Sequence, residues 1–220
     1  MKCILCGSAA AFPLDFVKPA KRIFLHCSQC DLIFVPESHH LSPDQEVSRY
    51  KMHRNTLSNE GYVGMFLEKI AIVHQYCPEV RSVLDYGCGP SPVLAELLMR
   101  VGFSCDIYDP YFIPVFPEGS YDLVISTEVF EHLRDIGGEL QKICKLIKHG
   151  GYLAIMTSLH DTVSDFENWW YASDPTHICF FGGSTFDWLA KEFGFEITFR
   201  DNKNFIILKK IQNIHVISKL

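Results

Sequence analysis

The order of apolar and polar positions changes period several times along the chain, and those changes outline its elements. In the first 40 residues short apolar stretches, among them Phe12, Leu14, Phe16 and Val17, lie between two pairs of cysteines. Ser42-Pro43 has the form of a helix start. From Tyr62 the apolar positions Phe66, Ile70, Val73 and Cys77 recur at three and four, one face of a helix that Pro78 ends. Ser82 to Tyr86 is then a short apolar run that stops at Gly87-Cys88-Gly89-Pro90. Helical spacing resumes at Val93, Leu94, Leu97, Leu98 and Val101, up to Gly102. Further strands are expected over 104–108, 121–126 and 152–157, with a helix over roughly 138–148 that Gly150-Gly151 breaks. Ser184-Thr185-Phe186-Asp187 reads as a capping box for a helix with Phe186, Leu189, Ala190 and Phe193 on one face and Gly194 at its end. Residues 195–200 and 205–209 are expected to pair as an antiparallel hairpin. Strands alternating with helices predict an α/β fold with a parallel sheet covered on both faces, and ligand sites at the carboxyl ends of its strands.

At 220 residues the chain holds one full-size domain and a small appendage, and 48% apolar composition is too high for a disordered polypeptide. No run of about 18 uncharged apolar residues is present, and Met1-Lys2-Cys3 opens into polar and cysteine positions, so a soluble, cytoplasmic protein without membrane contact is expected. Twenty basic against 26 acidic residues give a net charge of −6, the wrong sign for a chain built to track phosphates.

Nine cysteines without an export signal argue for reduced thiols, whose spacing is read for metal first. Cys3-x-x-Cys6 and Cys27-x-x-Cys30 lie 20 residues apart, a spacing that fits a closed four-cysteine zinc site. Two residues between ligands let one tight turn present both thiolates to the same ion. This places a zinc ribbon at residues 1–40 and a second, larger domain at 41–220. About 40 residues make too small a core to fold alone, and structural zinc adds roughly 10–16 kcal/mol, so the metal would decide folding. Four basic and three acidic side chains, with four thiolates and one zinc, leave the ribbon near −1, which is no hook for RNA. His26, beside Cys27, is a possible substitute ligand.

Asp85-x-Gly87-x-Gly89 stands where a strand enters a helix, so the glycines let backbone approach a ligand. Asp109, at the end of the next strand, is placed to accept both hydrogen bonds of a ribose diol. A dinucleotide site would use the same devices but wants a third glycine where this chain has Pro92. A ligand with a ribose and no pyrophosphate fits better.

These residues resemble the class I S-adenosylmethionine-dependent methyltransferases over about residues 45–210. The resemblance rests on Val83-Leu84-Asp85-Tyr86-Gly87-Cys88-Gly89, Asp109, Tyr121-Asp122-Leu123-Val124-Ile125, Glu128-Val129-Phe130-Glu131-His132-Leu133 and Gly150-Gly151-Tyr152-Leu153. It implies a Rossmann-like, doubly wound, mostly parallel sheet with an antiparallel C-terminal hairpin. It also implies S-adenosylmethionine contacts from Asp85, Tyr86, Gly87, Cys88, Gly89, Tyr108, Asp109, Thr127 and Glu128. Two departures stand out: Ser91 replaces a common loop glycine, and only 11 residues separate Asp109 from Tyr121. The third strand and its helix must therefore be shortened or lost, leaving Tyr111 or Phe112 to cover the adenine.

Methyl transfer needs a nucleophile held in line with the departing sulfur, and a hydroxyl or carbon acid also needs a base. His132, beside Glu128 and Glu131, and His177, in Asp174-Pro175-Thr176-His177, are the candidates. His177 lies in an insertion, residues 159–183, whose Phe166, Trp169, Trp170, Tyr171, Phe180 and Phe181 either wall an acceptor pocket or serve packing. Tyr50 and His53 are placed to cap the cofactor's amino-acid end. Cys77, Cys144 and Cys179 read as small core residues and Cys88 as packing. The leading function is transfer to an oxygen or carbon of a small-molecule acceptor. An RNA methyltransferase guided by the ribbon and a non-catalytic interaction module are the alternatives.

Overall fold

The computed structural model describes residues 1–14, 22–52 and 55–212. Phe16, Val17 and His53 lie outside the described residues. Three short strands, β1 (Ala11–Pro13), β2 (Leu25–Cys27) and β3 (Ile33–Phe34), form the N-terminal segment. Helix α1 (Pro43–Tyr50) begins where expected: Ser42 Oγ accepts from the Gln45 N–H while Gln45 Oε1 accepts from the Ser42 N–H, and Pro43 occupies the first turn. Helix α2 (Glu60–Tyr76) is capped by Asn59, whose Oδ1 accepts from the Tyr62 N–H at 3.2 Å.

The main body alternates β4 (Ser82–Tyr86), α3 (Val93–Arg100), β5 (Ser104–Tyr108), β6 (Tyr121–Thr127), α4 (Ile136–Leu146) and β7 (Ile147–Met156). The helix before Gly150 ends two residues sooner than the spacing predicts. Residues 147–149 already belong to the strand, and Gly150, at φ +74°, sits inside it. A four-residue helix α5 (Trp170–Ser173) and strand β8 (Cys179–Phe180) lie in the insertion. They precede α6 (Gly183–Phe193), β9 (Phe195–Arg200) and β10 (Phe205–Lys210). The cap of α6 is not the expected Ser184 box: Thr185 Oγ1 accepts from the Gly182 N–H, and Asp161 accepts from the Gly183 N–H.

The six-stranded sheet runs β5-β4-β6-β7-β10-β9, parallel through β7, with β10 antiparallel to both its neighbours. Its apolar runs are continuous because both faces are buried. Val83, Leu123, Ile125, Ala154 and Ile207 pack with α2 and α3, whereas their alternates Leu84, Val124, Leu153, Ile155 and Ile206 pack with α4 and α6. Between Asp109 and Tyr121 the structure has no strand beyond a single bridge from Asp109 to Ile113, so the third strand is lost and β5 is the sheet edge.

The second sheet is antiparallel, in the order β1-β2-β3-β8, so its last strand comes from the insertion, about 145 residues downstream of its partner β3. Phe12 is 61% exposed and contributes little; Phe24, Leu32 and Phe34 supply the buried side chains, and they join the same core as Tyr171, Phe180 and Phe186. The insertion aromatics therefore serve packing. Phe166 meets Phe24 edge-on at 5.4 Å, Tyr171, Phe180 and Phe181 are fully buried, and Trp170 faces solvent. No described helix is long and apolar enough to cross a membrane.

Candidate functional site

The turn after β4 has two left-handed glycines, Gly87 at φ +86° and Gly89 at φ +67°. A Cβ on Gly87 would stand 2.3 Å from Val129 Cγ2, whereas one on Gly89 would meet open space. The first glycine thus lets two loops pass each other, and the second leaves room for a ligand. Tyr108 O accepts from the N–H groups of Gly87 and Cys88, at 2.8 and 3.1 Å, which pins the turn to β5.

Asp109 closes this arrangement. Its Oδ2 accepts from the Gly89 N–H at 3.0 Å, and its Oδ1 accepts from the Tyr111 and Phe112 N–H groups at 2.8 and 3.0 Å. Of about four lone-pair positions on a carboxylate, one remains. The expected grip on both hydroxyls of a diol would require one of these loop bonds to open.

A cavity of about 570 Å³ lies over the carboxyl ends of the strands, within the range of small-ligand sites. Asp85, Gly87, Cys88, Gly89, Tyr108, Asp109, Thr127, Glu128, His132 and His177 all line it. Tyr86 does not: its side chain turns into the core and its hydroxyl bonds Glu139. None of the six insertion aromatics lines the cavity either, and among the described residues His177 alone reaches it from the insertion.

Buried carboxylates set the electrostatics. Burial pushes Asp85 up to about 7, against a hydrogen bond from the Ala95 backbone and with a further push from Asp109. Glu128 takes a left-handed φ of +54°, a strained conformation for this residue, and its N–H donates to Met156 O. Although the residue is open to the cleft, its carboxyl sits deep among protein atoms, and that crowding, then Glu131, raises it well above the usual range. Burial raises Cys88 to about 12, so it is an inert thiol.

The two histidines meet edge-on, ring centres 4.9 Å apart. His132 Nδ1 bonds Thr176 O at 2.9 Å and His177 Nδ1 bonds Tyr171 O at 2.8 Å. A carbonyl only accepts, so each Nδ1 carries the proton and each Nε2 is left as the free nitrogen. Burial depresses His177 to about 4, keeping it neutral.

Residues 60–198 match the family described as methyltransferase domain. The chain belongs to that family. It is an S-adenosylmethionine-dependent methyltransferase. Solved structures share its fold. A Burkholderia thailandensis 1,6-didemethyltoxoflavin-N1-methyltransferase, with 1,6-didemethyltoxoflavin and S-adenosylhomocysteine bound, is 16% identical with a TM-score of 0.55, over 91% of this chain and 99% of that one. The N-methyltransferase NodS from Bradyrhizobium japonicum WM9, in complex with S-adenosylhomocysteine, is 10% identical with a TM-score of 0.52, over 76% and 98%. Streptomyces venezuelae DesVI is 12% identical with a TM-score of 0.51, over 77% and 99%. No curated protein matches the sequence.

Around the methyltransferase cleft, several residues matter that sequence reasoning passed over. Glu46, buried in α1, accepts from Arg134 at 2.7 Å and from the Tyr111 hydroxyl at 3.1 Å, which sets α1 across the cavity mouth. Tyr50, from the same helix, packs on His132 at 5.2 Å. Arg22 is buried, and its two terminal nitrogens donate to the carbonyls of Ala172, Asp174, Pro175 and His177. A side chain of the N-terminal segment thereby holds the turn that carries His177.

Cys3, Cys6, Cys27 and Cys30 converge within 4.8 Å, with Sγ–Sγ separations of 3.6 Å for Cys3–Cys30 and 3.5 Å for Cys6–Cys27. Four sulfurs at about 2.3 Å from one ion stand about 3.8 Å apart, so the cluster has the right size for tetrahedral zinc. The Cys30 bond lowers Cys3 to about 5, burial raises Cys6 to about 12, and Cys30 is raised by its bond to Cys3. Cys3 forms a thiolate readily, whereas Cys6 and Cys30 need a cation to do so. His26 is absent from the cluster; its Nε2 bonds Asp31 at 2.8 Å.

Proposed function

We propose that this methyltransferase moves a methyl group to an oxygen or carbon of a small-molecule acceptor. The observation that carries the reading is one cavity lined both by the Gly87–Gly89 turn with Asp109 and by His132 with His177. S-adenosylmethionine, when bound, supplies an electrophilic methyl on a positively charged sulfur. The residues present fit it. Gly89 offers open space at the turn, Asp109 retains one acceptor position for a ribose hydroxyl, and Asp85 and Glu128 place carboxyls toward a cation. Thr127 and Tyr108 complete that wall, and α1 with Tyr50 and Glu46 excludes water from above.

His132 and His177 lower the free energy of the deprotonated acceptor, the task that oxygen and carbon nucleophiles impose. Amine acceptors fit less well, since carboxylates at the acceptor end stabilise the ammonium form, which cannot attack. Nucleic acid is disfavoured by the net charge of −6 and because Arg134 and Lys142, the lining cations among the described residues, are both paired with glutamates. The four cysteines hold a structural zinc with no open position, and the chain works as a soluble, cytoplasmic enzyme.

Calorimetry with S-adenosylmethionine tests the reading. Micromolar binding is expected, weakened at least about 30-fold by Asp109→Ala through the lost charge-assisted bonds. His177→Ala should leave that affinity intact while lowering turnover of the acceptor. Absence of binding by the unaltered protein would sink the assignment, and full turnover by His177→Ala would remove the histidine from it.

A further inference from the structure

Beneath the two histidines lies a third group whose state the methyl-transfer reading leaves unexplained. Glu131 is completely buried. Thr157 Oγ1 donates to its Oε2 at 3.0 Å, yet its Oε1 has no hydrogen-bond partner, and the Glu128 carboxyl crowds against it. Leaving a buried carboxylate oxygen unmatched is expensive unless a cation arrives. Among the described residues no lysine or arginine pairs with Glu131, and the nearest basic atom is His132 Nε2, 3.9 Å from Oε1. One donor atom from each of Glu131, His132 and His177 lies within 4.8 Å of the other two.

We propose that Glu131, His132 and His177 bind a divalent cation of the manganese, iron or zinc class at the acceptor end of the cavity. The donor set is two imidazole nitrogens and one carboxylate, a combination that suits such ions and leaves coordination positions open. Each ring is oriented by its Nδ1–H bond to a backbone carbonyl, which leaves Nε2 as the nitrogen free to ligate, as metal-bound imidazoles usually are arranged. Ligands at about 2.0–2.2 Å from an ion stand roughly 3–3.6 Å apart, so the set closes by about an ångström on loading. His132 and His177 line the cavity, so the open positions face an incoming acceptor.

This deepens the proposed function and rests on it for the ion's role. A hydroxyl of the acceptor coordinates the cation and loses its proton to water. The resulting oxygen forms the new bond to the methyl carbon as the bond from that carbon to sulfur breaks. The histidines then assist deprotonation through the ion, and acceptors with an oxygen nucleophile are favoured.

Manganese is the probe, because the four thiolates prefer softer ions. The full chain, zinc in place, is titrated with Mn²⁺ while the electron paramagnetic resonance signal of free Mn²⁺ is followed. One tight site per chain is expected, weakened at least tenfold by Glu131→Gln and by His177→Gln. Pulsed measurements on the unaltered protein should show nitrogen couplings from two imidazoles, a readout that survives even if a variant fails to fold. No stoichiometric binding, binding without nitrogen coupling, or folded variants that bind as tightly would each overturn the site and leave a histidine–glutamate ion pair. Calorimetry with S-adenosylmethionine in metal-free buffer separates the two ideas: cofactor binding without a manganese site refutes this inference alone.

Discussion

Replacing Asp85 by asparagine removes a charge that the fold holds against its preference. Asp85 is 2% exposed, and burial raises its carboxyl from 3.8 to about 7. At roughly 1.4 kcal/mol per pH unit, that rise is a ceiling of about 4 kcal/mol withheld from folding once the solution is alkaline to both values. The sign follows from the direction. An acid raised in the folded state is unfavourable there, and the penalty grows from about pH 4, levels off above 7 and is absent in acid. Asparagine can still accept from the Ala95 N–H but brings an amide that needs a partner, a loss of about 1–3 kcal/mol. Asp85→Asn should therefore be more stable than the unaltered protein by about 1–3 kcal/mol at pH 8, with the advantage gone by pH 4. At roughly 2–4 °C per kcal/mol for a chain of this size, thermal melting at the two pH values resolves it. The same variant should bind S-adenosylmethionine more weakly, because the carboxylate lines the cavity that would take the cation. A variant less stable at pH 8, or a difference independent of pH, would refute the argument that Asp85 is strained for binding.

Three further outcomes are expected. Gly87→Ala places a side chain at φ +86° and 2.3 Å from Val129, so about 2–5 kcal/mol of stability and most cofactor binding should be lost, as read by denaturant melts and calorimetry. Cys27→Ser should release one zinc per chain by metal analysis and lower the melting temperature; a variant that keeps its metal and fold would contradict the four-cysteine site. Arg22→Lys cannot fork to four carbonyls. It should lower turnover at least tenfold while S-adenosylmethionine affinity stays within about threefold, and an unchanged turnover would remove Arg22 from the positioning of His177.

The parts of the fold legible in sequence were those where one local signal decides. Val83–Leu84 and Leu123–Val124 read as strands because burial on both faces leaves no polar alternate. Ser42 with Gln45 and Asn59 act as caps through bonds closed within three residues. That the third strand and its helix are shortened or lost followed from distance, since 11 residues cannot hold both at full length. What stayed hidden is nonlocal. A two-residue strand such as β8 has no period, and its partner β3 lies about 145 residues earlier. Arg22 stands in a basic stretch that reads as solvated, and its buried carbonyl partners exist only after folding. The insertion aromatics suggested a pocket wall because composition does not say which way a ring points; Phe24 and Phe34 claim them instead.

The cleft has one wall held by backbone bonds and one held by side chains. On the first side, β3 pairs with β8, the Val35 N–H donates to Ile178 O, and the Ile178 N–H donates to Glu131 O at 2.7 Å. Cysteine cluster, insertion and Glu131 are thus joined by buried backbone bonds, which water cannot easily replace. On the other side α1 is held by Arg134–Glu46 and Arg49–Asp174, whose arginines are 40% and 37% exposed, and by the Tyr111 hydroxyl. The Arg49–Asp174 pair contributes roughly 0–1 kcal/mol and weakens with salt, whereas the Glu46 carboxylate is buried and depends on Arg134 for its partner. Tyr111 and Arg134 connect α1 to the loops after β5 and β6, and Asp174 connects it to the insertion. A small enclosing helix over a sheet shortened at its edge thus closes the cavity through side-chain contacts, while the turn that carries His177 is held by Arg22 of the N-terminal segment.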